Sequence, residues 1–209
     1  MFDKLIIRKI FNFPKLYSVF QTVIGKKGIR EDFLLKNIVN FDNKSVLDLG
    51  CGTANILEFI NNESLYVGID NNQKYINYNK KTWGHRENCV FFYGDLNDYV
   101  AKTSEKFDVV LMFGVMHHID DAAVKNCLDN IKKLLKPGGF FVSHDPCYTK
   151  KMNFIAKIIC KLDRGRYVRY EEEYVKIQKQ FFLNVKYVIR KDCLHFFPYS
   201  VIYFCNSDK

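Results

Sequence analysis

No two of the seven cysteines (Cys51, Cys89, Cys127, Cys147, Cys160, Cys193, Cys205) stand in a CxxC pair. An odd, scattered set builds neither a disulfide framework nor a zinc ribbon, which points to reduced thiols and a cytoplasmic protein. No apolar run reaches the roughly 18 residues that a spanning helix needs. The start, Met1-Phe2-Asp3-Lys4, lacks the apolar stretch and small-residue cleavage site of a secretory leader. Internal repeats and low-complexity linkers are missing as well. What remains is an ordinary globular composition, 48% hydrophobic and 26% charged over 209 residues, which excludes a disordered tail and fits a single domain.

Charge is unevenly spread. The chain carries a net +9. Residues 1–44 hold nine basic and four acidic side chains, residues 45–146 ten and 13, and residues 147–209 13 and six. A mildly acidic middle between basic flanks points to an acidic partner: a phosphorylated small molecule, a nucleic acid or an anionic membrane surface. Solubility alone accounts for the same charge equally well.

The chain divides by pattern. In residues 14–25, Leu16, Val19, Phe20, Val23 and Ile24 share one helical face, with Pro14 in the first turn and Gly25 at the end. Short apolar runs then read as strands at Val46–Leu49, Leu65–Ile69, Val90–Tyr93, Val109–Phe113 and Phe140–Ser143, with helical patterns between them. The clearest helix holds Val124, Cys127, Leu128, Ile131, Leu134 and Leu135, stopped by Pro137-Gly138-Gly139. Alternating strands and helices specify an α/β fold, a Rossmann-like doubly wound sheet with helices on both faces. After residue 146 come a helix over 150–162, a basic loop from Arg164 to Arg169, a charged helix Glu171–Phe181, and strands at Val185–Arg190 and Tyr199–Phe204. The short link between the last two makes them an antiparallel hairpin. The expectation is seven strands, five of them parallel. One domain would comprise a cap (1–44), a ligand-binding core (45–146), a basic insertion (147–183) and the hairpin (184–209).

The strongest signal is Val46-Leu47-Asp48-Leu49-Gly50-Cys51-Gly52-Thr53, a strand that breaks into a glycine turn and opens a helix. Glycine there lets the backbone turn sharply and approach a ligand that a Cβ would hold off. The C-terminal edge of a parallel sheet is where such folds bind ligands. Asp70 ends the second strand and can accept hydrogen bonds from two ribose hydroxyls. Asp95 ends the third; it can take an adenine amino group while Leu96 packs on the ring, or simply cap the next helix. A dinucleotide fingerprint would place its third glycine at position 55, where Asn55 stands. A carboxylate two residues before Gly50 does nothing for a pyrophosphate but attracts a cationic ligand.

Asp48-Leu49-Gly50-Cys51-Gly52-Thr53 resembles the first motif of class I S-adenosylmethionine-dependent methyltransferases of the small-molecule type. The resemblance runs from Val46 to Ser143 and includes the hairpin. Gly94-Asp95-Leu96, Phe107-Asp108-Val109-Val110 through His117-His118-Ile119, and Leu134 through Gly139 match further motifs in order. It implies S-adenosyl-L-methionine as cofactor, held by Asp48, Gly50, Cys51, Gly52, Asp70, Asn71, Asp95, Leu96, Phe113 and Gly114. It leaves the cap and residues 147–183 as the variable, acceptor-facing parts.

Methyl transfer from a sulfonium needs chiefly alignment, and a hydroxyl acceptor also needs a base. His117 and His118 follow the fourth strand, and His144-Asp145 follows the fifth on the same edge. The histidines are candidate bases and Asp145 a candidate orienting carboxylate. Packing or helix capping is the alternative for His118 and stands level with catalysis for His117. A metal held by His117, His144 and Asp145 is not favoured, because nothing fixes ligand spacing. Tyr17 in the cap and Arg164, Arg166 and Arg169 in the basic loop are candidate acceptor contacts. Arginine's planar fork suits phosphate or carboxylate, although the loop could equally pair with Glu171–Glu173. The acceptor expected is a small anionic or sugar-type molecule. Phe113-Gly114-Val115-Met116 stands where base-amino methyltransferases carry Asn/Asp-Pro-Pro-Tyr/Phe, which argues against a nucleobase; an RNA ribose stays open as an alternative. So does a non-catalytic membrane-surface protein that uses the basic, apolar residues 4–30.

Overall fold

The computed structural model describes residues 41–162, 165–193 and 199–208, the side chains of Ile159 and Leu162 excepted. The expected cap helix with Tyr17, together with Arg164, lies outside the described residues.

Largely apolar strands that must be covered on both faces form the centre. β1 (Ser45–Leu49) is buried at every position. It pairs in parallel with β2 (Leu65–Asp70) on one side and β4 (Phe107–Phe113) on the other. β3 (Cys89–Tyr93) extends the sheet beyond β2, and β5 (Leu135–Tyr148) lies beyond β4. The hairpin strands β7 (Asn184–Arg190) and β8 (Val201–Ser207) close the other edge, β8 antiparallel to β5 and β7 antiparallel to β8. The path is β3-β2-β1-β4-β5-β8-β7. The order reverses between β1 and β4, the switch point at which open α/β sheets leave a crevice.

Two features depart from expectation. An eighth strand, β6 (Arg169–Tyr170), pairs in parallel with Cys147 and Tyr148 at the end of β5. Its two residues sit in what reads as loop, because so short a strand leaves no periodicity. Pro137-Gly138-Gly139 also lies within β5 rather than before it, at a register shift against β4.

The helices follow their patterns. α1 (Gln73–Trp83) is capped by Asn72, whose side chain accepts from the Lys74 N–H. α2 (Leu96–Val100) is capped by Asp95, and α3 (Asp121–Leu134) by Asp120. α4 (Phe154–Leu162) and α5 (Glu171–Gln178) follow β5 and β6. One face of the sheet packs Leu47, Val67, Val110 and Phe141 with residues of α2, α3 and α5; the other packs Val46, Tyr66, Leu111 and Val142 with Ile76 of α1. All seven cysteines are free.

At the N-terminal edge, away from the crevice, the Asp108 carboxylate accepts from the Ser45 N–H (2.8 Å) and hydroxyl (2.7 Å) and from Lys136 Nζ (2.8 Å). Partial burial alone would raise its pKa, but the Lys136 ammonium and the Ser45 donors outweigh it and hold the group at about 2, against an ordinary 3.8. A carboxyl held low in the folded state contributes stability above its unfolded pKa and loses it as pH falls through the folded one. The urea midpoint of the native chain is therefore expected to fall between about pH 4 and pH 2. Lys136→Met should flatten that dependence, by about 1 kcal/mol for a partly exposed pair.

Candidate functional site

The turn after β1 is built from left-handed backbone. Gly50 and Gly52 have φ of 72° and 53°, and Ala54, which opens the following 3-10 turn, has φ 51°. The Gly50 and Cys51 N–H groups both donate to the Ile69 carbonyl (2.8 and 3.0 Å), folding the turn over the end of β2. A Cβ on Gly50 would stand 2.6 Å from Val115 Cγ2, so the loop after β4 presses on the turn and only glycine fits.

Carboxylates line the same edge. Asp70 ends β2, half-buried, and accepts from the Gly52 N–H (2.9 Å) and the Asn72 N–H (2.8 Å), one on each oxygen. Burial pushes its carboxyl above the usual range, and those two N–H groups pull the other way. Asp48 is buried at 4% exposure, and its Oδ2 accepts the Tyr66 phenol at 2.7 Å. Gly68 makes that contact fit, since a Cβ there would lie 3.0 Å from both the Tyr66 ring and Cys51 Sγ. Asp95 is exposed and forms a reciprocal capping box with Asp98. Leu96 is buried in the core.

On the far side of the turn, Gly114 (φ 66°) donates its N–H to the His144 carbonyl at 2.7 Å. Phe113 and His144 are register partners, and their rings stack at 4.7 Å. His144 is half-buried and His118 exposed. His117 is 6% exposed. Its Nδ1 lies 2.6 Å from Asp145 Oδ1, which also accepts the His117 N–H at 3.0 Å. Asp145 is fully buried; burial pushes its carboxyl up, against the pull of His117 and Arg169.

A family model described as a methyltransferase domain matches residues 40–186, most of the chain. The chain belongs to this methyltransferase-domain family. A ubiquinone biosynthesis O-methyltransferase from Bartonella tribocorum is 29% identical over 104 residues, 49% of this chain and 41% of that one. The match thus spans less than half the length of that curated relative. Two solved structures share the fold. The N-methyltransferase NodS from Bradyrhizobium japonicum has TM-score 0.65 at 18% identity, over 85% of this chain and 94% of that one. The geranyl diphosphate C-methyltransferase from Streptomyces coelicolor, solved with Mg2+, geranyl diphosphate and S-adenosyl-L-homocysteine, has TM-score 0.68 at 10% identity, over 88% and 79%. Oxygen, nitrogen and carbon acceptors are thus all served by this architecture.

The edge of this methyltransferase domain fits an S-adenosylmethionine-type cofactor. Carboxylates at the ends of three neighbouring strands surround a glycine turn too crowded at Gly50 for a side chain. That donor set suits a cationic nucleoside and not a pyrophosphate. Asn71 follows Asp70, and Phe113-Gly114 faces the turn through Val115. Of the basic loop, Arg166 is exposed, whereas Arg169 is buried at 7% and serves the scaffold. Its guanidinium donates to Asp121 Oδ1 (2.8 Å) and to the carbonyls of Met116, Tyr167 and Ile119 (2.9 Å each). Among the described residues no group of three or more His, Cys, Asp or Glu could hold a metal ion.

Sequence reasoning passed over Asn79, the polar member of the Ile76–Asn79–Trp83 face of α1. It is fully buried, and its amide donates to the Gly52 carbonyl (2.7 Å) and contacts Cys51 Sγ (3.6 Å). Trp83 Nε1 reaches the Thr53 carbonyl one turn further on (3.3 Å). A polar residue on an apolar helical face was the available signal. Asn79→Ala frees the Gly52 carbonyl and loosens the turn; losing one buried hydrogen bond costs about 1–3 kcal/mol. The KM for the methyl donor is expected to rise about tenfold, with a smaller change in kcat, in steady-state assays.

Proposed function

We propose that this domain transfers the methyl group of S-adenosylmethionine to a hydroxyl of a small anionic or sugar-type metabolite, and that His144 takes the acceptor's proton. The observation that carries the reading is the set of carboxylates at the ends of β1, β2 and β3 around the Gly50–Gly52 turn. When bound, the cofactor supplies an already activated methyl group, so the chain's own task is placement. Asp70 keeps one lone pair on each carboxylate oxygen beyond its backbone bonds and would accept both ribose hydroxyls. Asp95 would accept from the adenine amino group while still capping α2. Asp48, beneath the turn, lends negative charge against which a sulfonium is stable.

For the proton, His144 sits within β5, partly exposed, its ring stacked on Phe113 and its carbonyl accepting from the Gly114 N–H. Arg166, exposed next to the loop that covers His117, would meet an anionic group on the acceptor, with Arg164 and Tyr17 as its expected companions. The 29% identity to an O-methyltransferase supports oxygen as the nucleophile. His117 is the second reading for the base, favoured by its 2.6 Å contact with Asp145, which fixes the Nδ1 proton and leaves Nε2 as the basic nitrogen.

The experiment separates the two. His144→Asn is expected to lower kcat by about 10²–10⁴, to remove the acidic limb of the pH–rate profile and to leave S-adenosylhomocysteine affinity intact. A full kcat in His144→Asn, with the acidic limb lost instead in His117→Asn, transfers the role to His117.

A further inference from the structure

Helix α4 has two apolar faces. Ala156 and Cys160 form the inner one and pack with Met152 against Tyr148 and Tyr199. Phe154, Ile155 and Ile158 form the outer one and are 76%, 55% and 41% exposed. At 100° per residue, Phe154, Ile158 and Ile155 share an arc of about 100°, and Lys161 and Lys157 follow directly along one border of it. Singly exposed apolar residues are ordinary, but three contiguous ones rimmed by lysine mark a contact surface.

The surroundings are strongly basic. From Cys147 to Tyr170 the chain carries seven basic residues and one acidic. Lys150 pairs with Glu172 and Arg169 with Asp121. Lys151, Lys157, Lys161 and Arg166 are exposed. Tyr167 and Tyr170, 40% and 48% exposed, add amphipathic rings of the kind that settle at a headgroup layer. A second copy of the chain is a poor occupant, because a two-fold contact would set these lysines against themselves. An acidic bilayer supplies the opposite charge and an apolar layer together. A nine-residue helix is far too short to span, and no described helix is long and apolar enough to cross a membrane.

We propose that the outer face of α4 docks on an anionic lipid surface. Phe154, Ile155 and Ile158 enter the headgroup–acyl boundary, and Lys157 and Lys161 remain at the phosphates. Only residues 149–153 link the C-terminal end of β5 to α4, which packs against Tyr148, so docking would set the membrane beside the sheet edge where the candidate site opens. The inference stands apart from the methyl-transfer reading, since it needs only the helix and its charges.

The test is flotation of the full chain with vesicles of phosphatidylcholine alone and with about a third phosphatidylglycerol. The wild type is expected to float with the acidic vesicles, at least tenfold more than with the neutral ones, and to be released by salt. Ile155→Ser/Ile158→Ser and, separately, Lys157→Glu/Lys161→Glu should each remove most of the flotation. Calorimetric S-adenosylhomocysteine binding reports independently on the fold and the site, and the exposed lysine pair decides the question if the serine pair unfolds. Wild type that stays at the bottom of both gradients overturns the proposal. So does undiminished flotation of a folded variant, which would move the contact to another segment, such as residues 4–30.

Discussion

Asp70→Ala is expected to weaken S-adenosylhomocysteine binding by about 10²–10³-fold in calorimetry. Two charge-assisted hydrogen bonds to ribose hydroxyls would contribute about 3–4 kcal/mol together. The carboxylate does more than meet a ligand. It fixes the Gly52 and Asn72 N–H groups, so its removal also slackens the turn on which the nucleoside would rest. Asp70→Asn keeps the shape of the side chain and should retain part of the turn while losing the charge. Because burial holds the Asp70 carboxyl above the usual range, affinity should already decline at a pH where ordinary carboxylates are still ionised. Undiminished affinity in Asp70→Ala would remove the basis for placing the nucleoside at this edge.

Arg169→Met is expected to be among the most destabilising single changes in the chain, costing about 3–5 kcal/mol and lowering Tm by roughly 10 °C. Three backbone carbonyls and the Asp121 carboxylate lose their donor at once, and the fully buried Asp145 loses a neighbouring positive charge. Arg169→Lys should recover little, because a single ammonium cannot reproduce a fork directed at four acceptors. Urea unfolding with intrinsic tryptophan fluorescence provides the measurement. A loss below about 1 kcal/mol would show that the 116–121 loop is held by something other than this guanidinium.

The contrast between these two residues shows what the sequence discloses. The place of Asp70 was legible: an acid at the end of the second strand, beside a glycine turn. Arg169 was read with Arg164 and Arg166 as an anion contact, since composition cannot tell a solvated arginine from one folded inward. That choice is made by β6, whose two residues carry no pattern of their own. The sheet order was similarly accessible, for apolar strands at regular spacing leave few alternatives. The His117–Asp145 pair could be foreseen only as a neighbourhood, two motifs on one edge; its 2.6 Å contact depends on the register of β4 against β5. Asp95 shows the opposite case, where one residue satisfies the cap and remains exposed for a ligand.

Gly165 rests so near His117 that an added Cβ would run into the imidazole ring and stand 2.5 Å from the His117 carbonyl oxygen. The Tyr167 N–H donates to that same carbonyl at 3.0 Å. The insertion is therefore keyed to the core at Gly165 as well as through Arg169. Anyone re-engineering acceptor preference by loop grafting or randomised libraries should hold residue 165 as glycine and diversify its neighbours, Arg166 and Val168.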